Sequence, residues 1–456
     1  MVCSDKDLQR AEVGGRPGRE FTTQHDTSDT WRSMEVRTAK IEKLVAGGYG
    51  LGYLDGQVIL VPYSAPEDEI SLEVAPTRRG VSWGSIRQIL FPSPSRISPF
   101  CAHYTHCGGC QLQHMSYTDQ LENKRLILDE TLKRLAGLKD TRIGPCIGSP
   151  MLMGYRSRVR LHCEKGKIGF HESRTNKVIP LEYCPILTDN INACLKQFSS
   201  YVSAHPIRGL SVIQMMEDTE SRVIMTLEMD SLPEARLVAE LQDNIRVSGA
   251  SVRVGHQRDI LWGEEYSTFS IAGRTFRISP GSFFQSNTSL LPILIQEVLK
   301  TVKGNTIAMG VELYAGVGVF CIMLSERVKK LAAVEWNRDA AADALVNLNT
   351  NRIRNIEVIP VSAENALDLL FSRDIKPELV LVDPPRDGLS NAVRSKLMEM
   401  SPRQLIYISC NPATLARDIK SILTSGSYHL EEVKPLDMFP HTSHIECVAS
   451  FMRNQD

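Results

Sequence analysis

The stretch "TIAMGVELYAGVGVFCIML" (306–324) joins an apolar strand, a glycine-containing turn and an apolar helical segment. The strand runs to Leu313, and Gly316 and Gly318 follow before the helix. Glycines in such a turn let the backbone approach a ligand, and the helix N-terminus offers free N–H groups to it. This order predicts one unit of an α/β sheet with a ligand at its carboxyl edge.

Similar apolar segments recur downstream, and helical segments separate most of them. The strand candidates are "LAAVEW", "IEVIPVS", "ELVLVDPP", "LIYISCNP", "HLEEVKPLDMF" and "IECVASFM". This alternation predicts that residues 271–456 form a doubly wound, mostly parallel sheet. Only residues 440–444 connect the last two strands, so we expect that pair to be antiparallel.

The chain before this sheet divides into three further parts. Residues 1–33 are polar and lack periodicity, which is typical of a disordered tail. Residues 34–92 hold five short strand patterns separated by turns, which predicts a small OB-like barrel. Residues 93–270 mix strand and helix patterns, including an amphipathic helix over 116–136, and predict a central α+β domain.

Composition narrows the class of protein. The 456 residues carry a formal net charge of −1, which excludes a whole-chain polycation but not a local basic groove. No apolar run approaches the roughly 18 residues of a membrane helix, and the N-terminus lacks the apolar core of a signal peptide. We therefore expect a cytoplasmic protein that has no membrane partner.

An acidic residue favours a nucleoside ligand at the glycine turn. Glu335 ends the next strand and could accept both hydroxyls of a ribose. A dinucleotide fingerprint would have glycine or alanine at position 321, where Cys321 stands. This favours S-adenosylmethionine over a nicotinamide dinucleotide, and an oxidoreductase remains the alternative.

Three residues with reactive side chains lie at strand ends. Asp383 ends one strand before two prolines, and Cys410 ends the next before Asn411 and Pro412. Cys410 is either a buried small side chain or a nucleophile, and nearby helix N-termini would lower the pKa of its thiol. Glu446 begins the last apolar strand, as a perturbed base or as an exposed edge residue.

Four cysteines have the spacing of a metal or cluster site. Cys101, Cys107 and Cys110 read C-x5-C-x2-C, and Cys184 precedes a proline 73 intervening residues later. Four thiolates can hold zinc or an iron–sulfur cluster, and a last ligand followed by proline is typical of ferredoxin ligation.

A basic strand pattern follows the cysteine-rich segment. In an extended chain Arg156, Arg158 and Arg160 of "GYRSRVRLHC" project from one face. A basic stripe of this kind suits contacts to an RNA phosphate backbone, and a solvated sheet face is the alternative.

Together these motifs resemble the RNA uracil-5-methyltransferase family from residue 34 to about 452. The likeness is closest to the branch with an N-terminal TRAM barrel and an iron–sulfur cluster, typified by 23S rRNA 5-methyluridine methyltransferases. "CAHYTHCGGCQLQHMSY" with "YCPIL" resembles the cluster site, "YISCNPATLARDI" the nucleophile motif and "DMFPHTSHIE" the general-base motif. The fold that the resemblance implies is multidomain, with a TRAM barrel, a central cluster-bearing α+β domain and a Rossmann-like methyltransferase domain.

The resemblance also implies roles for individual residues. Cys410 would be the nucleophile that adds to C6 of uracil, and Glu446 the general base. The cofactors would be S-adenosylmethionine and a [4Fe–4S] cluster held by the four cysteines named above. The cofactor contacts implied by "SPGSFFQSN", "ELYAGVGVF", "AVEWN" and "VDPPRDGL" are Gln285, Tyr314, Gly316, Glu335 and Asp383.

The resemblance makes RNA the expected partner of a monomeric enzyme. It favours 23S rRNA as the substrate, with tRNA as the alternative. An alternative of another class is a non-catalytic protein that binds RNA or assists ribosome assembly.

Overall fold

A computed structural model describes residues 36–75, 77, 80–139, 142–304 and 306–454. The predicted tail, residues 1–33, lies outside the described residues. The chain divides into two compact units: one contains the residues up to Ile127 with His171–Asn176 and His441–Ser443, and the other contains the remainder. Among the described residues, no helix is long and apolar enough to cross a membrane.

The N-terminal strands close into a five-stranded barrel in the order β1-β2-β3-β5-β4. These strands are β1 (Val36–Val45), β2 (Tyr49–Leu54), β3 (Gln57–Val61), β4 (Glu69–Val74) and β5 (Val81–Phe91). Alternate side chains point inward, and the interior contains Ala39, Ile41, Ile59, Val61, Ile70 and Leu72. The expected β-rich N-terminal part is confirmed.

A buried carboxylate fastens the segment after the barrel to the barrel itself. Asp68 accepts hydrogen bonds from the backbone N–H of Ser93 at 2.9 Å and from Nε and Nη2 of Arg96, both at 2.7 Å. Burial favours the neutral acid, but these hydrogen bonds outweigh it and lower the pKa of Asp68. The Pro- and Ser-rich segment after the barrel, residues 91–100, is therefore anchored to the barrel.

The predicted helix over 116–136 is α1 (Tyr117–Thr131), continued by a π-helical turn, Leu132–Ala136. Gly137 follows with a φ of 75°, the left-handed conformation that ends many helices.

The central part of the chain forms a seven-stranded sheet in the order β12-β11-β10-β9-β6-β7-β8, with a separate hairpin of β13 and β14. Its strands are β6 (Arg158–Glu164), β7 (Lys167–His171), β8 (Val178–Pro180), β9 (Leu210–Glu217), β10 (Val223–Met229), β11 (Gly249–Val254) and β12 (Gln257–Gly263). The hairpin strands and the helices of this part are β13 (Ser267–Ile271), β14 (Arg274–Ile278), α2 (Asp189–Ala204) and α3 (Ala235–Asn244).

The C-terminal part is a seven-stranded sheet in the order β17-β16-β15-β18-β19-β21-β20. Its strands are β15 (Ile307–Leu313), β16 (Val328–Val334), β17 (Ile356–Ile359), β18 (Leu379–Val382), β19 (Gln404–Ser409), β20 (Tyr428–Leu436) and β21 (Glu446–Arg453). The helices are α4 (Leu291–Thr301), α5 (Val319–Leu324), α6 (Arg338–Thr350), α7 (Ala363–Ser372), α8 (Asn391–Met400) and α9 (Pro412–Thr424).

The pairing in this sheet agrees with the sequence prediction. The first five strands in this order pair in parallel, whereas β21 pairs antiparallel with both β19 and β20. Strands β18 and β19 are fully buried, which explains their continuous apolar sequences. The expected C-terminal α/β fold with an antiparallel final pair is confirmed.

Candidate active site

Four parallel strands end at one edge of the C-terminal sheet. Strands β15, β16, β18 and β19 run in the same direction, and the chain leaves them at Tyr314, Glu335, Asp383 and Cys410. Because carboxyl ends of parallel strands meet at the same edge, the topology gathers these residues on that side of the sheet. The strand ends that the sequence analysis selected therefore share an edge.

The glycine turn after β15 has a conformation that ordinary residues avoid. Gly316 and Gly318 have φ values of 57° and 89°, and Tyr314 also has a positive φ, 64°. A positive φ is costly for tyrosine, and such strain is concentrated at functional sites. A Cβ atom on Gly316 would meet no other atom within 4 Å, so the turn leaves open space there.

Glu335 holds this turn against the neighbouring strand. Its Oε2 accepts a hydrogen bond from the N–H of Gly316 at 2.8 Å, and its Oε1 accepts one from the N–H of Asn337 at 2.7 Å. Each carboxylate oxygen has two acceptor positions, so Glu335 can still accept two hydroxyl groups. The residue predicted to contact a ribose thus also sets the geometry of the turn.

Asp383, Cys410 and Glu446 act on one another electrostatically. Burial raises the pKa of Asp383 to about 7. Burial also raises the pKa of Glu446 well above its usual value; the charge of Asp383 adds to this effect and that of Arg386 opposes it. The antiparallel register pairs Ser409 with Cys447, and Cys410 and Glu446 occupy the adjoining positions along the chain. The sheet therefore brings together the three residues that the sequence analysis selected at strand ends.

The thiol of Cys410 does not have the lowered pKa that helix N-termini were expected to give it. Burial raises its pKa to about 12; Glu446 and Asp383 act in the same direction, and Arg386 opposes them. The expected direction was wrong for the free protein because burial and two carboxyl groups outweigh one cation and a helix terminus. Cys410 is therefore protonated at neutral pH.

Asn411 and Pro412 end β19 and begin the following helix. Asn411 is the N-cap of α9, its side-chain oxygen accepts the N–H of Ala413 at 3.0 Å, and Pro412 occupies the first turn. The Asn411 amide and the Thr414 hydroxyl donate to the carbonyl of Arg386 at 3.1 and 3.0 Å. The same turn that stops the strand at Cys410 thus fixes the backbone of Arg386, whose charge acts on the Cys410 thiol.

Gln285 lies in the loop after β14, and hydrogen bonds with Asp343 and Arg158 hold the beginning of this loop. Asp343 on α6 accepts hydrogen bonds from the N–H and hydroxyl of Ser279, at 2.7 and 2.8 Å, and from the hydroxyl of Ser282 at 2.6 Å. Arg158 donates from Nη1 to the carbonyl of Ser282 at 2.6 Å and from Nη2 to that of Pro280 at 3.3 Å. Gln285 itself is buried.

Sequence reasoning missed Asp343 and Arg386. Asp343 lies within α6, on the face that also buries Ala340, Ala344 and Asn347, and a charged residue on an apolar helix face is a detectable signal. Arg386 lies in the quoted motif "VDPPRDGL", but its contacts depend on residues 25 and 28 positions further on. Only the fold reveals that link.

The three arginines of the basic stripe are engaged within their own chain. Arg160 forms two hydrogen bonds with Glu228 on β10, at 2.5 and 2.9 Å. Arg158 holds the carbonyls of the loop after β14, and burial lowers its pKa to about 10. Arg156 donates from Nε to the carbonyl of Arg158 at 3.0 Å. The sequence pattern did not reveal the partner Glu228, which lies 68 residues away in sequence, and RNA binding by these arginines stays a prediction.

The four cysteines of the predicted cluster site have unlike environments. Cys101, Cys107 and Cys110 are partly exposed in the first compact unit, whereas Cys184 is buried in the second. Thiols are chemically suitable cluster ligands, but the described residues contain no group of three or more Cys, His, Asp or Glu side chains that could hold a metal ion. The structure therefore gives no support to this assignment, which stays a prediction.

Comparisons with known proteins point to one family. A family model described as tRNA (uracil-5-)-methyltransferase matches residues 116–454. An uncharacterized RNA methyltransferase of Halalkalibacterium halodurans is 29% identical over 91% of this chain and 96% of its own. Another, from Aquifex aeolicus, is 31% identical over 90% of this chain and 96% of its own.

A solved structure is similar over almost the whole chain. It is the Pyrococcus abyssi tRNA (uracil-54, C5)-methyltransferase in complex with S-adenosyl-L-homocysteine, which is 28% identical with a TM-score of 0.70. The match covers 92% of this chain and 100% of that one.

Proposed function

Because the chain belongs to the tRNA (uracil-5-)-methyltransferase family, we propose that it transfers a methyl group from S-adenosylmethionine to C5 of a uridine in RNA. The observation that carries this proposal is the grouping of the Cys410 thiol with the Asp383 and Glu446 carboxyl groups at the carboxyl edge of the sheet. A nucleophile and a perturbed base side by side are what this substitution requires.

Cys410 is the proposed nucleophile because C5 of uracil is too weak a carbon nucleophile by itself. The sulfur of Cys410 adds to C6, and the electrons of the C5–C6 bond move to form an enolate whose nucleophilic carbon is C5. A thiolate beside two ionised carboxylates would be strongly disfavoured, so the thiol proton passes to Asp383, while Glu446 enters the step ionised. Asp383 returns that proton to the sulfur when the C6–S bond later breaks.

Glu446 is the proposed general base. After methylation C5 carries both a methyl group and a hydrogen, and Glu446 removes that proton while the C6–S bond breaks and frees Cys410. A raised pKa makes the ionised form of Glu446 a strong proton acceptor. The target base must leave its stack to reach such a site.

The residues around the glycine turn fit a cationic nucleoside cofactor. Gly316 leaves open space at the turn, and Glu335 keeps free acceptor positions for ribose hydroxyls. We assign cofactor contacts to these two residues and to Tyr314, Asp383 and Gln285. The bound cofactor supplies the methyl group in electrophilic form, and the residues around it orient that group.

Formation of a covalent adduct tests the proposed chemistry. RNA that contains 5-fluorouridine should form a denaturation-resistant complex with the wild-type protein, because the fluorine at C5 cannot be removed as a proton. The variant Cys410→Ala should form none. Absence of both adduct and methyl transfer, with RNA binding intact, would favour the non-catalytic RNA-binding alternative.

We propose 23S rRNA as the substrate, in a monomeric, cytoplasmic enzyme. The five-stranded barrel at the N-terminus supports this choice, since OB-like barrels bind single-stranded nucleic acid. The tRNA alternative is supported by the P. abyssi structure, whose protein is named for a tRNA uridine. Mass spectrometry of rRNA and tRNA from a deletion strain decides between them, and loss of 5-methyluridine from tRNA alone would overturn the rRNA proposal.

The [4Fe–4S] cluster stays a sequence-based prediction, and no step of the proposed chemistry uses it. Iron and sulfide in protein purified without oxygen, lost in the Cys107→Ser variant, would support it. Protein free of iron after anaerobic reconstitution would overturn it.

A further inference from the structure

The short segment before the last strand, residues 441–443, is held by the cysteine-rich part of the chain. The carbonyl oxygen of His441 accepts the N–H groups of Gln111 at 3.0 Å and of Leu112 at 2.9 Å. The N–H of Ser443 donates to Oε1 of Gln111 at 3.1 Å. Gln111 and Ser443 lie 332 positions apart in sequence, yet both belong to the first compact unit.

Gln120 on α1 holds His441 with both ends of its amide. Its Oε1 accepts the N–H of His441 at 3.0 Å, and its Nε2 lies 3.2 Å from Nδ1 of the His441 ring. The same nitrogen donates to the carbonyl of Met115 at 2.9 Å. Gln120 is 0% exposed, and burying an amide costs free energy unless its hydrogen bonds are made. The Gln120 amide therefore ties His441 to the start of α1.

His441 has a strained backbone that depends on such contacts. Its φ is 67°, in the left-handed region that is uncommon for residues other than glycine. Its ring packs edge-on against Phe100, with 4.8 Å between the ring centroids. A residue in this conformation persists only where its surroundings over-determine it, and such residues cluster at functional sites. Without the Gln120 amide, the backbone of His441 can relax, and the residues that follow it would move.

The strained segment leads directly to Glu446. Ser443 lies three residues before Glu446, which is the first residue of β21 and pairs with Leu436. Strand pairing thus fixes the chain from Glu446 onward, whereas the 441–443 segment fixes the chain that enters it. A general base must lie within hydrogen-bond reach of the proton it removes, and a misplacement of about 1 Å can cost about 10²-fold in rate.

We propose that Gln120 is a positioning residue for Glu446. It acts through the 441–443 segment, and Gln111 supports the same segment. This inference rests on the proposed function, because Glu446 is the general base only in that proposal.

The step that depends on this placement is loss of the proton from C5. The C5–H bond breaks and its proton passes to Glu446, its electrons form the C5–C6 double bond, and the electrons of the C6–S bond return to the sulfur of Cys410. Addition of Cys410 and methyl transfer come earlier and do not use Glu446 as a base. A displaced Glu446 should therefore slow proton loss alone, and the methylated covalent intermediate should accumulate.

A single-turnover assay with two isotopes tests the proposal. The full-length protein, purified without oxygen, reacts with S-adenosylmethionine that carries radioactive carbon in its methyl group and with 23S rRNA or tRNA transcripts that carry tritium at C5 of uridine. Gln120→Met keeps the length of the side chain but removes its amide. We expect tritium release to slow by about 10- to 100-fold, while methyl transfer to RNA, free or in the adduct, changes by less than about twofold.

Gln404→Met is the matched control. Gln404 is also buried, and its amide also joins two backbone groups: Oε1 accepts the N–H of Lys303 at 3.0 Å, and Nε2 donates to the carbonyl of Thr301 at 2.5 Å. It is the first residue of β19, at the end of that strand opposite to Cys410. Loss of this amide should lower stability about as much as loss of the Gln120 amide, and leave the ratio of the two rates as in wild type.

The ratio of tritium release to methyl transfer decides the inference. Delayed tritium release in Gln120→Met but not in Gln404→Met supports it. An unchanged ratio in Gln120→Met, or methyl transfer slowed as much as tritium release, would overturn it while leaving the proposed function intact. If Gln120→Met does not fold, Gln111→Met, which removes the hydrogen bond to Ser443, is judged by the same ratio. Absence of both methyl transfer and adduct formation in wild type would overturn the proposed function, and this inference with it.

Discussion

One buried carboxylate of the C-terminal sheet region, Asp418, has hydrogen-bond partners for its charge that the buried carboxyl groups at the edge of the sheet lack within the described residues. Asp418 on α9 accepts hydrogen bonds from the Tyr407 hydroxyl at 2.8 Å, the Leu389 N–H at 2.8 Å, Arg394 at 2.7 Å and Arg417 at 2.8 Å. At the carboxyl edge of the same sheet, Asp383 and Glu446 have raised pKa values instead.

This difference distinguishes a structural carboxylate from functional ones. Asp418 ties helices α8 and α9 to the sheet, and its charge is compensated before any ligand arrives. The carboxyl groups at the edge are kept in a state that favours protonation, so they can exchange protons with a thiol or a substrate. The comparison predicts that substitution of Asp418 lowers stability and leaves activity nearly unchanged, whereas substitution of a residue at the sheet edge lowers activity and changes stability little.

The largest effect on activity should come from Cys410→Ala. Removing the nucleophile should reduce methyl transfer by about 10⁴-fold or more and abolish the 5-fluorouridine adduct. The thermal midpoint should change little, because Cys410 is only partly buried at the end of its strand. Substantial methyl transfer by Cys410→Ala would show that the enzyme does not need a covalent intermediate with Cys410.

Glu446→Gln should reduce turnover by about 10²- to 10⁴-fold, because no base removes the C5 proton. The covalent intermediate with ordinary uridine RNA should then accumulate and be visible on a denaturing gel. The free energy of unfolding of the Glu446→Gln variant should equal or exceed that of wild type at a pH of about 8. The reason is that a neutral amide replaces a buried carboxyl group with a raised pKa. A large loss of stability would place Glu446 with the structural carboxylates.

Asp418→Asn should lower the stability of the protein and leave its activity nearly unchanged. It leaves Arg394 and Arg417 without their carboxylate, and we expect a loss of about 3 kcal/mol in the free energy of unfolding. Urea unfolding measures the loss, and the activity per folded molecule should stay near that of wild type. Strongly reduced activity in folded Asp418→Asn would remove the distinction between Asp418 and the carboxyl groups at the sheet edge.

The smallest effect is the pH dependence of a single turnover. Burial raises the pKa of Asp383 to about 7 and that of Glu446 well above its usual value, so the pair takes up protons as the pH falls. The rate should rise by up to about tenfold per pH unit below about 7 and more slowly above it. A flat profile between about 6 and 8 would mean that these carboxyl groups do not exchange protons in the slow step.

Local patterns in the sequence predicted most of the secondary structure. The alternating pattern of residues 36–45 corresponds to β1 (Val36–Val45), and the short connection after β20 gives the antiparallel final pair. These predictions succeed because periodicity, glycine and proline act within a few residues of chain.

The same local reasoning failed where charge was involved. The local pattern of the basic stripe could not show that Arg160 pairs with Glu228, because Glu228 lies on another strand. The thiol of Cys410 was expected to be acidified by a helix, but the fold buries it beside carboxyl groups from two other strands. Electrostatic environments depend on residues that are distant in sequence.

The sequence by itself determined the strand ends, the glycine turn and the residue types available for chemistry, because these are local properties of the chain. Tertiary structure alone decided that Asp383, Cys410 and Glu446 act on one another, and that Asp343 and Arg158 hold one loop. The physical reason is that burial and charge act through space, and strand order sets which distant residues share that space.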